Sequence, residues 1–232
     1  MPAPDTGNPS PDIRLIVFDL GRVLLRIVDD FDHACRRANL PPIPGFSGDL
    51  SIHALRNTDP DAAELFNGFE IGTVTIEDYA ARAAAITGSP AEHIMAILDA
   101  AIIETYPGAT DLLEQLHALP VKTACLSNTN ARHWQLISDP DNPSYIPLHL
   151  LDFPLGSQLV GHAKPHPAIY QHLGTLSQTP PQHILFFDDL PENIAAAKAC
   201  GWHAELVSRD TDNPVPALRR SLEAYRVLSH TP

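Results

Sequence analysis

Short apolar runs that end at a polar side chain constrain the fold of this chain more than any other feature. The first run lies in Ile13–Asp19, and its unbroken apolar character is typical of a strand buried on both faces. Further strands of this kind are predicted at Val121–Asn128, His183–Asp189 and Trp202–Val207. Helical patterns separate these runs, so the sequence predicts an α/β fold with a Rossmann-like parallel sheet as a core flanked by helices.

The segments between the predicted strands have the spacing of amphipathic helices. Around the sheet, helices are predicted at residues 108–119, 166–176, 191–200 and 216–228. Before Tyr106, four more helical segments follow one another without a strand among them, at residues 29–40, 61–72, 75–86 and 90–104. We therefore expect a small helical bundle inserted into the core. The expected division is a disordered tail over residues 1–12, a core made of residues 13–28 and 105–232, and a helical cap over residues 29–104.

Charge and hydropathy narrow the classes of partner. The 232 residues include 15 basic and 28 acidic side chains, and the net charge of −13 would repel nucleic acid and anionic membrane surfaces. No apolar run reaches the roughly 18 residues that a membrane helix needs, and residues 1–12 do not resemble a signal peptide. We expect a cytoplasmic protein that binds neither nucleic acid nor membranes; its oligomeric state is not indicated by the sequence.

Polar side chains close three of the predicted strands. Asp19 ends the first, Ser127 and Asn128 end the second, and Asp188 and Asp189 end the third. Each is also a common helix N-cap, so any one of them has a structural explanation. The carboxyl ends of parallel strands meet at one edge of a sheet, where three acids would repel one another unless a cation lay between them. Their oxygen ligands suit Mg²⁺.

A lysine stands in the loop "GHAKPHPAIY" before a predicted helix. Pro165 holds the chain extended after Lys164. A surface lysine is the ordinary explanation. If the loop folds over the same sheet edge, the ammonium group would offset the charge of a carboxylate nucleophile and of a phosphoryl group together.

Four segments resemble, in order, the four signature motifs of the haloacid dehalogenase-like (HAD) hydrolase superfamily: "FDLGRVL", "LSNTN", "GHAKPHPAIY" and "FFDDLPENI". The resemblance covers the chain from Ile13 to Val207. The first motif is similar to that of capped phosphatases that carry FDLG, among them a bacterial glucose-1-phosphate phosphatase. The resemblance implies a capped α/β hydrolase that acts on a small phosphorylated substrate with Mg²⁺ as its cofactor.

The resemblance also implies catalytic roles. Asp19 would attack phosphorus and form an aspartyl-phosphate intermediate. Ser127 and Asn128 would hold phosphate oxygens at the start of a helix, where free N–H groups favour anions. Lys164 would bind the phosphate and balance charge.

The same resemblance implies a metal site. Asp19, the backbone carbonyl of Gly21, and Asp189 with help from Asp188 would bind Mg²⁺. Asn193 would support the fourth motif by hydrogen bonding, although an ordinary residue in the first turn of a helix is an equal explanation.

Gly21 departs from the pattern of most phosphatases in the superfamily. They have a second Asp at this position, two residues beyond the nucleophile, which protonates the leaving oxygen and later activates water. Glycine supplies a carbonyl to a metal but no proton. Arg22 and His133 are candidates to compensate, and their alternatives are a surface arginine and a helical histidine without a catalytic task. A leaving group that departs easily, such as the anomeric oxygen of a sugar 1-phosphate, would lessen the need for an acid.

Three functions remain open from the sequence. The first is a Mg²⁺-dependent phosphomonoester hydrolase of small metabolites. The second is a metal-independent 2-haloacid dehalogenase, which also lacks the second acid, and the third is a non-catalytic protein that binds a phosphorylated ligand. The cap segment "FNGFEIG" is interpreted as a packing stripe, and spacing assigns no cap residue to the substrate.

Overall fold

A computed structural model describes residues 11–46 and 59–229. The strands are β1 Leu15–Phe18, β2 Leu25–Ile27, β3 Ile102–Thr105, β4 Lys122–Ser127, β5 Phe153–Gly156, β6 Ile184–Asp188 and β7 His203–Leu206. The helices are α1 Phe31–Arg37, α2 Pro60–Glu70, α3 Ile76–Thr87, α4 Ala91–Ala100, α5 Ala109–His117, α6 Ala131–Ser138, α7 Ser157–Val160, α8 Pro167–Ser177, α9 Pro191–Ala199 and α10 Val215–Ala224. Short 3₁₀ turns lie at Leu148–Leu150 and Pro181–His183.

Five strands form a parallel sheet in the order β5-β4-β1-β6-β7. Strand β1 lies at its centre, where Phe18 is in register with Cys125 of β4 and with Phe187 of β6. The predicted α/β fold with a parallel sheet is therefore confirmed. The fifth strand, β5, was not predicted because it is short, contains Pro154 and lies at the sheet edge, where a missing N–H donor is tolerated.

Side-chain alternation along the central strand builds a three-layer core. Ile16 and Phe18 pack on one face of the sheet with apolar residues of α5 and α10. Leu15 and Val17 pack on the opposite face with residues of α8 and α9. All four side chains are fully buried. The unbroken apolar run in the sequence thus follows from burial on both faces.

The segment between β2 and β3 is helical and has an apolar cluster of its own, with Leu65, Ile94 and Ile97 among its buried members. We call helices α1–α4 the insertion helices. The prediction that helical structure continues to residue 104 is wrong, because Ile102–Thr105 pairs antiparallel with Leu25–Ile27 as a two-stranded ribbon. Helix α4 ends at Ala100, and the β-branched side chains that follow favour a strand.

Local signals set the boundaries of these helices. Asp59 accepts hydrogen bonds from two N–H groups of the first turn of α2, and Thr75 caps α3 by accepting one from the N–H of Asp78. Helix α3 ends at Gly88, which has a left-handed φ of 68°. Asn130 caps α6 by accepting from the N–H of His133. Capping residues and a terminal glycine therefore explain where the chain enters and leaves these helices.

The predicted domain limits fall partly on residues outside the described ranges. Residues 1–10 of the predicted tail and residues 47–58 of the predicted cap lie there, so those parts stay predictions. Asp12, which the tail prediction included, accepts a hydrogen bond at its carbonyl oxygen from Nδ1 of His183, at 2.6 Å. Among the described residues, no helix is both long enough and apolar enough to cross a membrane.

Contacts of the α2–α3 turn and of α4 dock the insertion helices on the core. The turn between α2 and α3 lies on α7, where Ser157 Oγ is 2.7 Å from the Glu70 carbonyl oxygen. Helix α4 meets α6, where the guanidinium of Arg132 donates two hydrogen bonds of 2.6–2.7 Å to Asp99. Together these contacts fix the insertion helices over the carboxyl edge of the sheet.

Glycine at position 72 is required at the first of these contacts. It has a φ of +74°, and an added Cβ would lie 2.2 Å from the carbonyl oxygen of Gln158. Gly88 has a similar φ of +68° but nothing within 4 Å of an added Cβ. We expect Gly88→Ala to lower the free energy of unfolding by about 1–2 kcal/mol through backbone strain. Gly72→Ala should cost about 1–3 kcal/mol more because of the collision, as measured by urea unfolding. Equal losses would show that this turn does not pack as described.

Candidate active site

Two strand ends bring three acidic side chains to one point of the sheet edge. Asp19 follows β1, and Asp188 and Asp189 end or follow β6. One oxygen from each carboxylate lies within 4.8 Å of the others, and all three residues are buried. Ser127, at the end of the neighbouring strand β4, is also buried. The parallel sheet thus places these side chains at its carboxyl edge, where ligands bind in such folds.

Lys164 lies between two of these acids. Its ammonium nitrogen is 2.7 Å from Oδ2 of Asp188 and 2.9 Å from Oδ1 of Asp19, and its side chain is almost fully buried. Burial disfavours the charged amine, but the two carboxylates outweigh it and raise the pKa of Lys164. The lysine therefore stays charged and neutralises part of the acidic cluster.

Asp19 has one fixed oxygen and one free oxygen. Oδ1 accepts from the Leu20 N–H at 2.7 Å and from Lys164, whereas Oδ2 accepts from no donor among the described residues. Burial raises the pKa of Asp19 to about 7, and the charges of Asp188 and Asp189 add to this while Lys164 opposes it. A carboxylate in this position has a free lone pair and gains from added positive charge.

The donor set fits Mg²⁺. The three clustered acids offer hard oxygen ligands, and a divalent cation would offset their mutual repulsion, which adds to burial in raising the pKa of Asp19. In the turn after β1, the Leu20 carbonyl oxygen and the Arg22 N–H make backbone hydrogen bonds to Leu25. Among the described residues, the Gly21 carbonyl oxygen accepts no hydrogen bond. This carbonyl is therefore available as a fourth oxygen ligand.

Both carboxylate oxygens of Asp188 accept hydrogen bonds from other groups of the site. Its oxygens accept from the Leu190 N–H, from the amide of Asn193 and from Lys164, at 2.7–3.1 Å. Asp189 instead projects to the arginines of the site, and Nε and Nη2 of Arg209 both lie 2.7 Å from its Oδ2. Of the two neighbouring acids, Asp188 therefore fixes Lys164, and Asp189 has the more open second oxygen.

Ser127, the last residue of β4, and Asn128, which follows it, differ in their side-chain contacts. The Ser127 hydroxyl has no hydrogen-bond partner in the part of the chain that the structure describes, so it is free to meet a ligand. The side-chain amide of Asn128 donates to the Lys164 carbonyl at 2.8 Å and accepts from the Lys164 N–H at 2.7 Å. The prediction that Asn128 holds phosphate concerns its backbone N–H and stays a prediction, while its side chain positions the lysine loop.

Residues 13–201 match the sequence model of the haloacid dehalogenase-like hydrolases. The chain belongs to this family.

This HAD-like hydrolase is 33% identical over 124 residues to Phosphatase MT3486 of Mycobacterium tuberculosis, a match that covers 53% of the chain and 55% of that protein. The chain spans about half the length of the curated relatives it matches. A predicted HAD-like family hydrolase from Porphyromonas gingivalis superposes with a TM-score of 0.70 at 24% identity, over 91% of this chain and 98% of that chain. The HAD family enzyme BT-2542 from Bacteroides thetaiotaomicron, in complex with magnesium and inorganic phosphate, gives a TM-score of 0.68 at 19% identity, over 86% and 96%. At these identities the structural likeness shows the shared fold.

His133 of this HAD-like hydrolase has no free ring nitrogen. Nε2 lies 2.8 Å from the Leu98 carbonyl oxygen, and Nδ1 lies 3.3 Å from the side-chain amide of Asn130. Burial lowers the pKa of His133, so the ring is neutral near pH 7 and donates through Nε2. The predicted catalytic support by His133 does not fit this arrangement, because the ring joins α6 to the insertion helix α4.

Arg22 is held at the junction of core and insertion. Nη2 donates to the Val28 carbonyl at 2.8 Å and Nη1 to Asp29 at 3.2 Å, while Nε lies 3.7 Å from Oδ2 of Asp189. It is therefore not the surface arginine that the sequence allowed. Arg209, the second cation at Asp189, was not predicted; it lies three residues beyond β7, and the strand-end rule extended to that strand would have indicated it.

A cavity of about 720 Å³ lies between the sheet edge and the insertion helices. Asp19, Ser127 and Lys164 line its core side. The described residues of the insertion that line it are mainly apolar, and they include Phe31, Phe46, Leu65, Phe66, Ile94 and Ile97. Glu70, from the segment "FNGFEIG" that was interpreted as a packing stripe, also lines this cavity.

Lys164→Met tests how strongly the acidic cluster destabilises the fold when the lysine is removed. With EDTA present at pH 8, we expect the free energy of unfolding to fall by about 3–5 kcal/mol, because two buried carboxylates lose their cation. Lys164 lowers the pKa of Asp19, so its removal moves that pKa further above about 7. The folded variant then binds more protons than the unfolded chain. Its loss in free energy of unfolding, relative to the wild type, should therefore shrink as pH falls from 8 to 6. Urea unfolding across this range measures the effect.

Lys198→Met, on the exposed face of α9, is the matched control and should change stability by less than about 0.5 kcal/mol. A deficit in Lys164→Met that stays constant with pH would contradict the described contacts.

Proposed function

We propose that this HAD-like hydrolase is a Mg²⁺-dependent phosphomonoester hydrolase of small metabolites that forms an aspartyl-phosphate intermediate. The observation that carries the proposal is the state of Asp19 within the cluster of three acids: one oxygen is fixed by Lys164 and Leu20, and the other is free. The relative named a phosphatase supports it. Membership of the capped subgroup with an FDLG first motif is part of the same proposal.

Each side chain of the site has a proposed task. Oδ2 of Asp19 attacks phosphorus. The Ser127 hydroxyl and the Lys164 ammonium hold phosphoryl oxygens, and Lys164 also offsets their charge. Asp188, itself bound by Asn193, positions Lys164.

Asp19, Asp189 and the Gly21 carbonyl would hold Mg²⁺. The ion would supply positive charge to the transferring phosphoryl group when bound. Arg22 and Arg209 keep Asp189 oriented from the other side.

The lining of the cavity bears on the leaving group. The sequence suggested sugar 1-phosphates, but the insertion side offers few polar groups among its described residues to meet sugar hydroxyls. Burying a hydroxyl without a partner is unfavourable, whereas burying a methylene contributes about 0.8 kcal/mol. We therefore propose phosphate esters of alcohols with an apolar portion, with sugar 1-phosphates as the alternative to be compared.

Asp19→Asn tests the reaction itself. The purified wild type should hydrolyse 4-nitrophenyl phosphate only with added Mg²⁺, and the activity should disappear in Asp19→Asn because the amide is not a nucleophile. Beryllium fluoride with Mg²⁺ should form an adduct on the wild type that the variant cannot form. Asp111→Asn, on the exposed face of α5, is the control and should keep full activity.

Two other results would replace the proposal. Halide release from a 2-haloacid in EDTA would establish the metal-independent dehalogenase. An adduct with beryllium fluoride, but no turnover of any phosphate ester, would establish a protein that binds phosphorylated ligands without hydrolysing them.

A homologous series of esters tests the leaving-group proposal. From ethyl to butyl to hexyl phosphate, kcat/KM should rise by up to about fourfold per methylene as the chain enters the apolar cavity. Glucose 1-phosphate and glucose 6-phosphate, at equal concentration, should have a lower kcat/KM than hexyl phosphate. A flat series together with preferred hydrolysis of glucose 1-phosphate would assign the sugar ester instead.

A further inference from the structure

Glu70 is a carboxylate that the site as described leaves without a task. It is the last residue of α2 and lines the same cavity as Asp19, Ser127 and Lys164. Its carboxylate makes no hydrogen bond or ion pair with any side chain or backbone group in the described ranges. Burying a carboxylate without a partner costs free energy, so its position points to a role with a ligand or in the reaction.

The backbone of Glu70 is fixed relative to the catalytic edge. Ser157 is fully buried, and its Oγ lies 2.7 Å from the Glu70 carbonyl oxygen and 2.9 Å from the Thr129 carbonyl oxygen. The same oxygen accepts the Thr129 N–H at 2.9 Å. One hydroxyl therefore joins Glu70 to the segment that directly follows Ser127, and Gly72 packs on the next residue of α7.

The surroundings of Glu70 suit proton transfer near neutral pH. Burial raises the pKa of Glu70 to about 7, and the ammonium of Lys164 opposes that shift. Among the described residues, Tyr79 of α3 is also near it, and burial and the charge of Glu70 raise the pKa of Tyr79. A carboxyl group with a pKa near the working pH can both give and take a proton.

The other described acids that line the cavity are otherwise engaged. Asp29 pairs with Arg22, and Asp189 binds Arg209. Glu192 is exposed in the first turn of α9. Asp19 is the nucleophile. Glu70 is left as the acid without a competing contact.

The space beside Gly21 decides whether an acidic side chain fits at this position. A Cβ added there would lie 3.3 Å from Cδ1 of Ile27, the mobile end of a flexible side chain. The φ of Gly21 is not left-handed, so an Asp at this position needs only a small shift of Ile27. Glycine is therefore not required by the backbone, and the acid missing from position 21 can be restored by substitution.

We propose that Glu70 is the general acid and base of the reaction, in place of the acid that Gly21 does not provide. In the first step the P–O bond to the leaving group breaks as Asp19 Oδ2 bonds phosphorus, and Glu70 gives its proton to the leaving oxygen. In the second step the Glu70 carboxylate takes a proton from the water that attacks phosphorus. The bond to Asp19 then breaks, inorganic phosphate leaves, and Glu70 is protonated again. The inference rests on the proposed phosphatase function.

Glu70→Gln keeps the size of the side chain and removes the proton. In single-turnover experiments, phosphoenzyme formation from hexyl phosphate should slow by about 10²–10⁴-fold. Formation from 4-nitrophenyl phosphate, whose leaving group needs no proton, should change by less than about threefold. The phosphoenzyme should then decay more slowly than in the wild type, because no base activates water. Glu64→Gln, exposed on the same helix, is the control and should behave as the wild type.

The double variant Gly21→Asp with Glu70→Gln separates proton transfer from substrate binding. An acid at position 21 should restore turnover of hexyl phosphate to within about tenfold of the wild type. If Glu70→Gln raises KM equally for both esters, or if Gly21→Asp fails to rescue it while remaining folded, Glu70 is not the proton-transfer group. Absence of Mg²⁺-dependent hydrolysis in the wild type would instead refute the phosphatase function itself.

Discussion

The buried ammonium of Lys164 is the interaction on which the site depends. It lies within 2.9 Å of Asp19 and 2.7 Å of Asp188, at the ends of the two neighbouring strands β1 and β6. Without it, buried carboxylates would face one another across the sheet edge at a high cost in free energy. Asn128 holds the backbone of the lysine loop, and Asn193 holds Asp188. Asn128, which follows β4, and Asn193, in α9, therefore both keep the lysine in place, one through its loop and the other through Asp188.

The insertion helices add what the sheet edge lacks. They cover the edge with a cavity of about 720 Å³ and bring Glu70 to its wall. Their position is set by contacts of different kinds: a buried hydroxyl at Ser157, a close backbone approach at Gly72, and the ion pair of Arg132 with Asp99. The division of catalytic tasks that we propose between core and insertion follows from this geometry. The core holds the phosphoryl group, and the insertion supplies the proton and an apolar surface for the leaving group.

Much of the fold followed from local patterns. Unbroken apolar runs predicted the four strands β1, β4, β6 and β7, because a parallel sheet buries both faces of its strands. The short edge strand β5, with its proline, and the ribbon of β2 and β3 have no such run. They form because a neighbouring strand offers free hydrogen-bonding groups, and that is information from distant parts of the chain.

By itself the sequence determined which strand ends carry acids, a hydroxyl and a nearby lysine, since each follows an apolar run or a motif that can be read locally. The tertiary structure decided how these groups divide their contacts: the amide of Asn128 binds the lysine loop, His133 bonds α4, and Arg209 binds Asp189. It also decided that Glu70 lines the cavity together with Asp19, Ser127 and Lys164. The physical reason is that hydrogen-bond partners, burial and charge depend on segments far apart in the chain, and no local spacing encodes which of them meet.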